Sequence, residues 1–192
     1  VSRDLLSLSE DDFIRTASHL TSTSRKNYWE KYYSYSLETF AIFDLIIDSN
    51  KADVSYDAAI FHKGILKRMG YIVQNNILKS GDKELMDLYS EYNNALKDDP
   101  NAAFQKEKAL MYQYSLHSEF NNLSQLRTWK DIHNKLNNDE VAIDFSRSFD
   151  MEKNDFILTA IILRKQYDAP KIVYLNSESQ IKELEYHKSF LS

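Results

Sequence analysis

Cysteine is absent from this chain of 192 residues, and glycine and proline are scarce. Without cysteine, the chain has no disulfide, no thiolate metal site and no cysteine nucleophile of its own. It contains 3 glycines and 2 prolines, whereas average usage predicts roughly 23 of the two together. Because sheet-rich folds need frequent turns made by these residues, the deficit predicts few turns and long elements, which favours helices.

Other absences narrow the classes of function. The formal net charge is -5 and no block of lysine and arginine occurs, which argues against a nucleic-acid partner. No apolar run approaches the ~18 residues of a membrane span, and the longest, residues 40–47, contains Asp44. The glycines are too widely spaced for a phosphate-binding loop. We therefore expect no nucleic-acid partner, no membrane insertion and no cofactor.

The polar residues that most often build active sites are not arranged in a recognisable motif. The histidines are His19, His62, His117, His133 and His187. No two of them are four residues apart, so the chain does not encode a helical zinc pair. Carboxylate pairs such as Asp98-Asp99 lie at predicted turns and helix starts, where they act as caps or solvated charge. We expect no catalytic, cofactor-binding or metal-binding residue and no enzyme activity in this chain.

Apolar residues at helical spacing predict a helical region over residues 1–126. The predicted helices are 10–19, 25–48, 54–79, 83–97 and 101–123, with Gly81 just past the third and Pro100 at the start of the last. Each of the last four predicted helices has a stripe of residues on one face. In chain order, the stripes are Trp29, Tyr33, Ser36, Phe40, Phe43 and Ile47; Phe61, Ile65, Met69, Ile72 and Asn76; Leu85, Leu88, Tyr92 and Leu96; and Ala109, Tyr112, Leu116, Phe120 and Leu123.

A second region, residues 127–192, has a different pattern. Thr128 can cap a short helix over 129–136, and Ser177 can cap a last helix over 178–190. Strands are predicted at 140–147, 155–164 and 171–176. In the first, Val141, Ile143 and Phe145 alternate with Ala142, Asp144 and Ser146, which predicts one buried face; the second is apolar on both faces and should be central. The predicted class is α+β and predominantly α, with long antiparallel helices, a small three-stranded sheet and a C-terminal helix.

The small sheet needs more cover than one short helix provides. We therefore expect these strands to open a larger α/β domain, and the missing initiator Met suggests that the N-terminus of the parent protein also lies elsewhere. The unpaired sheet edges predict a homo-oligomer of this chain. The sequence does not fix the location of the parent protein, although a cytoplasmic one is favoured.

The aromatic content is high, with 13 Tyr, 10 Phe and 2 Trp. Several rings surround one predicted helix, so some of them should contact another surface. Core packing is the first interpretation of each ring, and an interaction surface is the second for Tyr28, Tyr32 and Tyr35.

Several segments resemble the region that precedes and opens the CHAT domain, a caspase-like cysteine peptidase module found behind tetratricopeptide repeats in bacterial proteins. They are residues 56–66 (YDAAIFHKGIL), 80–89 (SGDKELMDLY), 129–132 (WKDI), 139–145 (DEVAIDF) and 167–175 (YDAPKIVYL). The resemblance covers the chain from about Arg25 onward. It implies a His/Cys dyad beyond Leu175 in a part that this chain does not contain, so no catalytic residue is carried over. A tetratricopeptide array within this chain is not expected, because the predicted helices are too long and no period is found.

Two functions remain. In the first, the chain is a non-catalytic segment of a CHAT-type peptidase, and its helices link upstream repeats to the peptidase sheet. In the second, it is an autonomous helical module that binds a protein partner. A parent reading frame that continues past Ser192 into a domain with His and Cys would favour the first.

Overall fold

The computed structural model of the chain describes residues 2–117 and 127–189. Its elements, in chain order, are α1 (Ser2–Ala17), α2 (Ser22–Tyr32), α3 (Ser34–Ile47), α4 (Asp53–Lys79), α5 (Lys83–Asp98), α6 (Pro100–Ser115), α7 (Trp129–His133), β1 (Val141–Asp150), β2 (Asp155–Arg164), β3 (Lys171–Ser177) and α8 (Glu178–Ser189). This mainly helical chain, with a three-stranded sheet and a C-terminal helix, confirms the predicted α+β class. Within the described residues, no helix is both long and apolar enough to cross a membrane.

Tyr33 interrupts the helix that the sequence predicts over residues 25–48. Its backbone angles, φ -124° and ψ -30°, are not helical, so α2 ends before it and α3 begins after it. The interruption changes the phase of the apolar pattern. Phe40 is buried as predicted, whereas Phe43 and Ile47 are exposed. The prediction of one continuous helix is therefore wrong, and the side chain of Ser36 lies outside the described part.

Two further helical predictions need correction. The helix predicted over 10–19 is part of the longer α1, which starts near the beginning of the chain. In α6, the predicted stripe residues Ala109, Tyr112 and Leu116 are exposed. The helix instead buries another face, formed by Ala103, Glu107, Leu110, Met111 and Tyr114. Apolar residues occur on both sides of α6, so periodicity could not select the buried side; Phe120 and Leu123 lie outside the described residues.

Capping contacts explain several boundaries that were predicted correctly. Gly81 follows α4 in a left-handed conformation, with φ +71°. Asp99 caps α6 through two backbone N–H groups, and Pro100 occupies the first helical turn. Thr128 precedes α7, and its N–H donates to a first-turn carboxylate at 2.7 Å. Ser177 Oγ accepts a backbone hydrogen bond from the first turn of α8.

The chain divides into two compact units. The described residues of Val1–Leu6, Tyr32–Lys63 and Arg127–Ser192 form the sheet unit, and those of Ser7–Lys31 and Gly64–Leu126 form the helical unit. This division differs from the predicted boundary after residue 126, because α3 and the first part of α4 belong with the sheet. The core of the helical unit contains Val73, Ile77, Leu85, Leu110, Met111 and Tyr114.

The sheet unit is built on an antiparallel meander in the order β1-β2-β3. The apolar strand β2 is central, as predicted, and β1 extends further than the predicted 140–147. One face of the sheet packs against α3, α4 and α7. That core contains Ala41, Ala52, Tyr56, Trp129, Ile161, Leu163 and Ile172.

Candidate functional site

The two faces of the sheet differ in exposure. In the β1-β2 pair, Asp144 lies opposite Ile161 and Phe145 lies opposite Ala160, and successive residues alternate between the faces. The inner face, which contains Ile161, is closed by the helices. Its β2 residues Ile157, Thr159, Ile161 and Leu163 are at most 2% exposed. The outer face is the one that contains Phe145.

Apolar side chains of the two edge strands remain open to solvent on the outer face. They are Val141, Ile143, Phe145, Phe149 and Val173. Their exposed fractions range from 37% to 63%, and Phe145 is the most exposed. The alternation in β1 therefore has the opposite sense from a simple amphipathic strand. Ala142, Asp144, Ser146 and Ser148 face the core, whereas four apolar residues and Arg147 face outward.

Polar groups of β1 near the inner face have identifiable partners. Lys63 of α4 forms an ion pair with Asp144. Its Nζ also donates a hydrogen bond of 2.8 Å to the carbonyl oxygen of Phe145. Ser148, further along the same side, has no exposed surface. Because buried polar groups are tolerated when they are paired, this side of β1 can pack inward while the apolar side remains outside.

The free edges of the sheet are not equally open. The backbone N–H of Ile172 donates to the carbonyl oxygen of Ser49 at 2.8 Å, and the N–H of Ala52 donates to that of Pro170, also at 2.8 Å. The loop between α3 and α4 therefore covers the start of β3. Among the described residues, no strand pairs with the free side of β1. The more open edge, on β1, thus borders the outer face.

Two carboxylates, of buried Asp57 and half-buried Asp44, connect the helices beneath the inner face. Asp57 Oδ1 accepts a hydrogen bond of 2.6 Å from the N–H of Trp129, and the same carboxylate pairs with Arg3. Burial raises the pKa of Asp57, although these two contacts oppose the rise. Asp44 Oδ2 accepts from the N–H and the hydroxyl of Ser55, at 2.9 and 2.6 Å. Burial likewise raises its pKa. Both carboxylates tie elements together and so have structural roles.

The structure does not bring the histidines together. Among the described residues, no group of three or more His, Asp or Glu side chains could hold a metal ion. Burial lowers the pKa of His62, which lies on α4 beside β1. His133 Nε2 is 3.1 Å from the carbonyl oxygen of Lys165, and His117 Nε2 is 3.1 Å from a carboxylate oxygen of Asp82. The side chain of His187 lies outside the described part.

The three tyrosines of the predicted interaction surface are described to different extents. Tyr28 stacks on Phe13, with ring centroids 6.0 Å apart. Tyr32 is 55% exposed, and the side chain of Tyr35 lies outside the described part. Sequence reasoning missed the outer face instead. The alternation of Val141, Ile143 and Phe145 predicts that this side of β1 is buried, and the prediction is wrong because the three side chains are exposed.

Comparisons with known proteins identify no relative of this chain. No protein-family model, no curated protein and no solved structure matches this chain.

Proposed function

We propose that this chain is a non-catalytic scaffold segment whose sheet docks on further protein through its outer face. The observation that carries the proposal is the contrast between the closed inner face and the open, apolar outer face. Exposed apolar side chains on a sheet face are typical of interaction sites, and here they lie beside Arg147, which is on the same face and pairs with Glu178. The ion pair between Lys63 and Asp144 connects α4 to β1, and the contacts of Asp57 and Asp44 connect the helices beneath the sheet.

The resemblance to the front of a CHAT domain gives the proposal a specific form. In that form, the helices connect upstream repeats to a caspase-like sheet, and later parts of the same polypeptide cover the outer face. The resemblance rests on short segments of sequence, and three of them, 129–132, 139–145 and 167–175, lie within the sheet unit.

An autonomous helical interaction module is the second candidate. It is favoured by three exposed apolar side chains near the end of α3, namely Phe43, Ile46 and Ile47. Their exposed fractions are 52%, 75% and 73%. Under this hypothesis, a partner binds α3 and the outer face has no role in binding.

In the isolated chain, the occupant of the outer face is a second copy. An apolar face is self-complementary, because the same residues can meet across a two-fold axis. The free edge of β1 adds unpaired backbone groups beside that face. The proposal therefore predicts a homodimer that depends on the residues of the outer face.

Light scattering after size-exclusion chromatography tests this prediction with a charged substitution. Phe145→Asp places a carboxylate on the outer face, and we expect it to convert the dimer to a monomer. Tyr112→Asp is the matched control, because Tyr112 is 70% exposed on α6 and belongs to the helical unit. The control should remain dimeric.

Two outcomes would overturn the proposal. One is a wild-type chain that stays monomeric at high concentration. The other is a dimer that survives Phe145→Asp but is lost in Ile46→Asp, which would favour the helical module. Circular dichroism of each variant shows whether the fold is retained.

A further inference from the structure

A cavity of about 560 Å³ lies within the sheet unit. Its walls come from the loop between α3 and α4, from α7, and from the connection between β2 and β3. The side chains that give it its chemical character are Lys51, Trp129, Lys130, Tyr167, Asp168 and Lys171. Its volume is in the range of small-molecule sites, which is about 300–1,000 Å³.

Hydrogen bonds connect the walls of this cavity. The loop between α3 and α4 is joined to the start of β3 by the two backbone bonds at Ala52 and Ile172. Lys165 Nζ donates to the carbonyl oxygen of His133 at 3.2 Å, which links the end of β2 to α7. The N–H of Trp129 is held by Asp57. The cavity is therefore preformed, and a ligand need not order its walls on binding.

Positive charge is concentrated at this cavity. Lys51, Lys130 and Lys171 reach it from three different elements, and none of them has a carboxylate partner at ion-pair distance among the described residues. Lys130 Nζ lies 5.7 Å from the ring centroid of Trp129, and Lys171 Nζ lies 4.7 Å from that of Tyr167. Three lysines without an ion-pair partner among the described residues are unexpected in one cavity lining of a chain whose net charge is -5.

The carboxylates near the cavity do not fully neutralise its lysines. Asp53 pairs with Arg3 at 2.7 Å, but Arg3 also pairs with Asp57, and Asp168 is the other carboxylate of the lining. The three lysines and Arg3 therefore exceed Asp53, Asp57 and Asp168 by one positive charge, four against three. An anion bound in the cavity would be attracted by this positive charge.

We infer that this cavity binds a small phosphorylated molecule. Lysine binds phosphate as a point charge, whereas planar carboxylates are best recognised by the paired donors of arginine. The lining contains three lysines and no arginine. The two aromatic rings keep their lysines close to the cavity wall and supply an apolar surface for the rest of the ligand.

Calorimetric titration with inorganic pyrophosphate, at constant ionic strength, tests the inference. We expect saturable binding, and we expect Lys130→Gln and Lys171→Gln each to weaken it at least tenfold. Lys108→Gln is the matched control, because Lys108 Nζ also lies over an aromatic ring, 4.8 Å from the centroid of Phe104, but belongs to the helical unit. The control should bind like the wild type.

Citrate provides the second arm of the titration. It carries several carboxylates but no phosphoryl group, so the inference predicts that it binds more weakly than pyrophosphate. Equal binding of the two anions would overturn the assignment to phosphorylated ligands. Absence of saturable pyrophosphate binding, or an equal loss in Lys108→Gln, would overturn the site itself.

Discussion

At the scale of single residues, buried charges with defined partners organise the helical unit. Arg25 is 5% exposed. Its Nε donates to the carbonyl oxygen of Ala17 at 3.0 Å, and its Nη2 donates to that of Leu20 at 2.9 Å. Glu107, also buried, accepts the N–H of Ser22 at 2.6 Å. Burial lowers the pKa of Arg25, and the negative charge of Glu107 partly offsets this effect.

Arg25→Ala should therefore destabilise the chain strongly. It removes the donors of two carbonyl oxygens and the positive charge that acts on the buried carboxylate of Glu107. Leaving a buried acceptor without its donor costs about 1–3 kcal/mol, which urea unfolding measures directly.

The neighbouring Lys26 provides the control for that measurement. Lys26 forms only an exposed pair with Glu30, at 3.7 Å along the same helix. Lys26→Ala should lower the free energy of unfolding by under about 0.5 kcal/mol. Similar losses in the two variants would contradict the role assigned to Arg25.

At the scale of the elements, local signals in the sequence identified most helices and all three strands. Gly81, Asp99 with Pro100, and Ser177 mark boundaries because their conformations or caps act within a few residues. The side of each element that faces the core was less predictable. α6 carries apolar residues on both sides, and Tyr33 interrupts a pattern that is otherwise continuous. In such cases the buried side depends on contacts between residues far apart in the chain, which local periodicity does not contain.

The cap of α6 allows a test at this scale. Asp99 Oδ1 accepts the N–H groups of Asn101 and Ala102, at 2.8 and 3.2 Å. Asp99→Ala removes both bonds and should lower the free energy of unfolding by about 1 kcal/mol. The adjacent, exposed Asp98 makes no such contact, so Asp98→Ala should leave stability nearly unchanged. If both substitutions have the same effect in thermal unfolding, the cap does not fix this boundary.

At the scale of the whole molecule, the scarcity of glycine and proline correctly indicated long helices and a small sheet. The candidate site was not predictable in the same way. Alternation in β1 shows that the strand has two different faces, but not which of them meets the core. The contacts that accompany this choice join residues distant in sequence, as in the ion pair between Lys63 and Asp144. The outer face therefore became recognisable as a candidate site only in three dimensions.

The central claim is that the outer face is an interface, and a spin label at its rim tests it most directly. The chain has no cysteine, so Arg164→Cys creates a unique attachment site. Arg164 is exposed and lies opposite Val141, and its replacement leaves the apolar residues of the outer face in place. Gln105→Cys, at an exposed position of α6, is the control.

Electron paramagnetic resonance spectra are recorded as the protein concentration rises. We predict that the label at position 164 becomes immobilised as the dimer forms, while the label at position 105 stays mobile. A label at position 164 that keeps its mobility at every concentration, or one that changes no more than the control, would contradict the account.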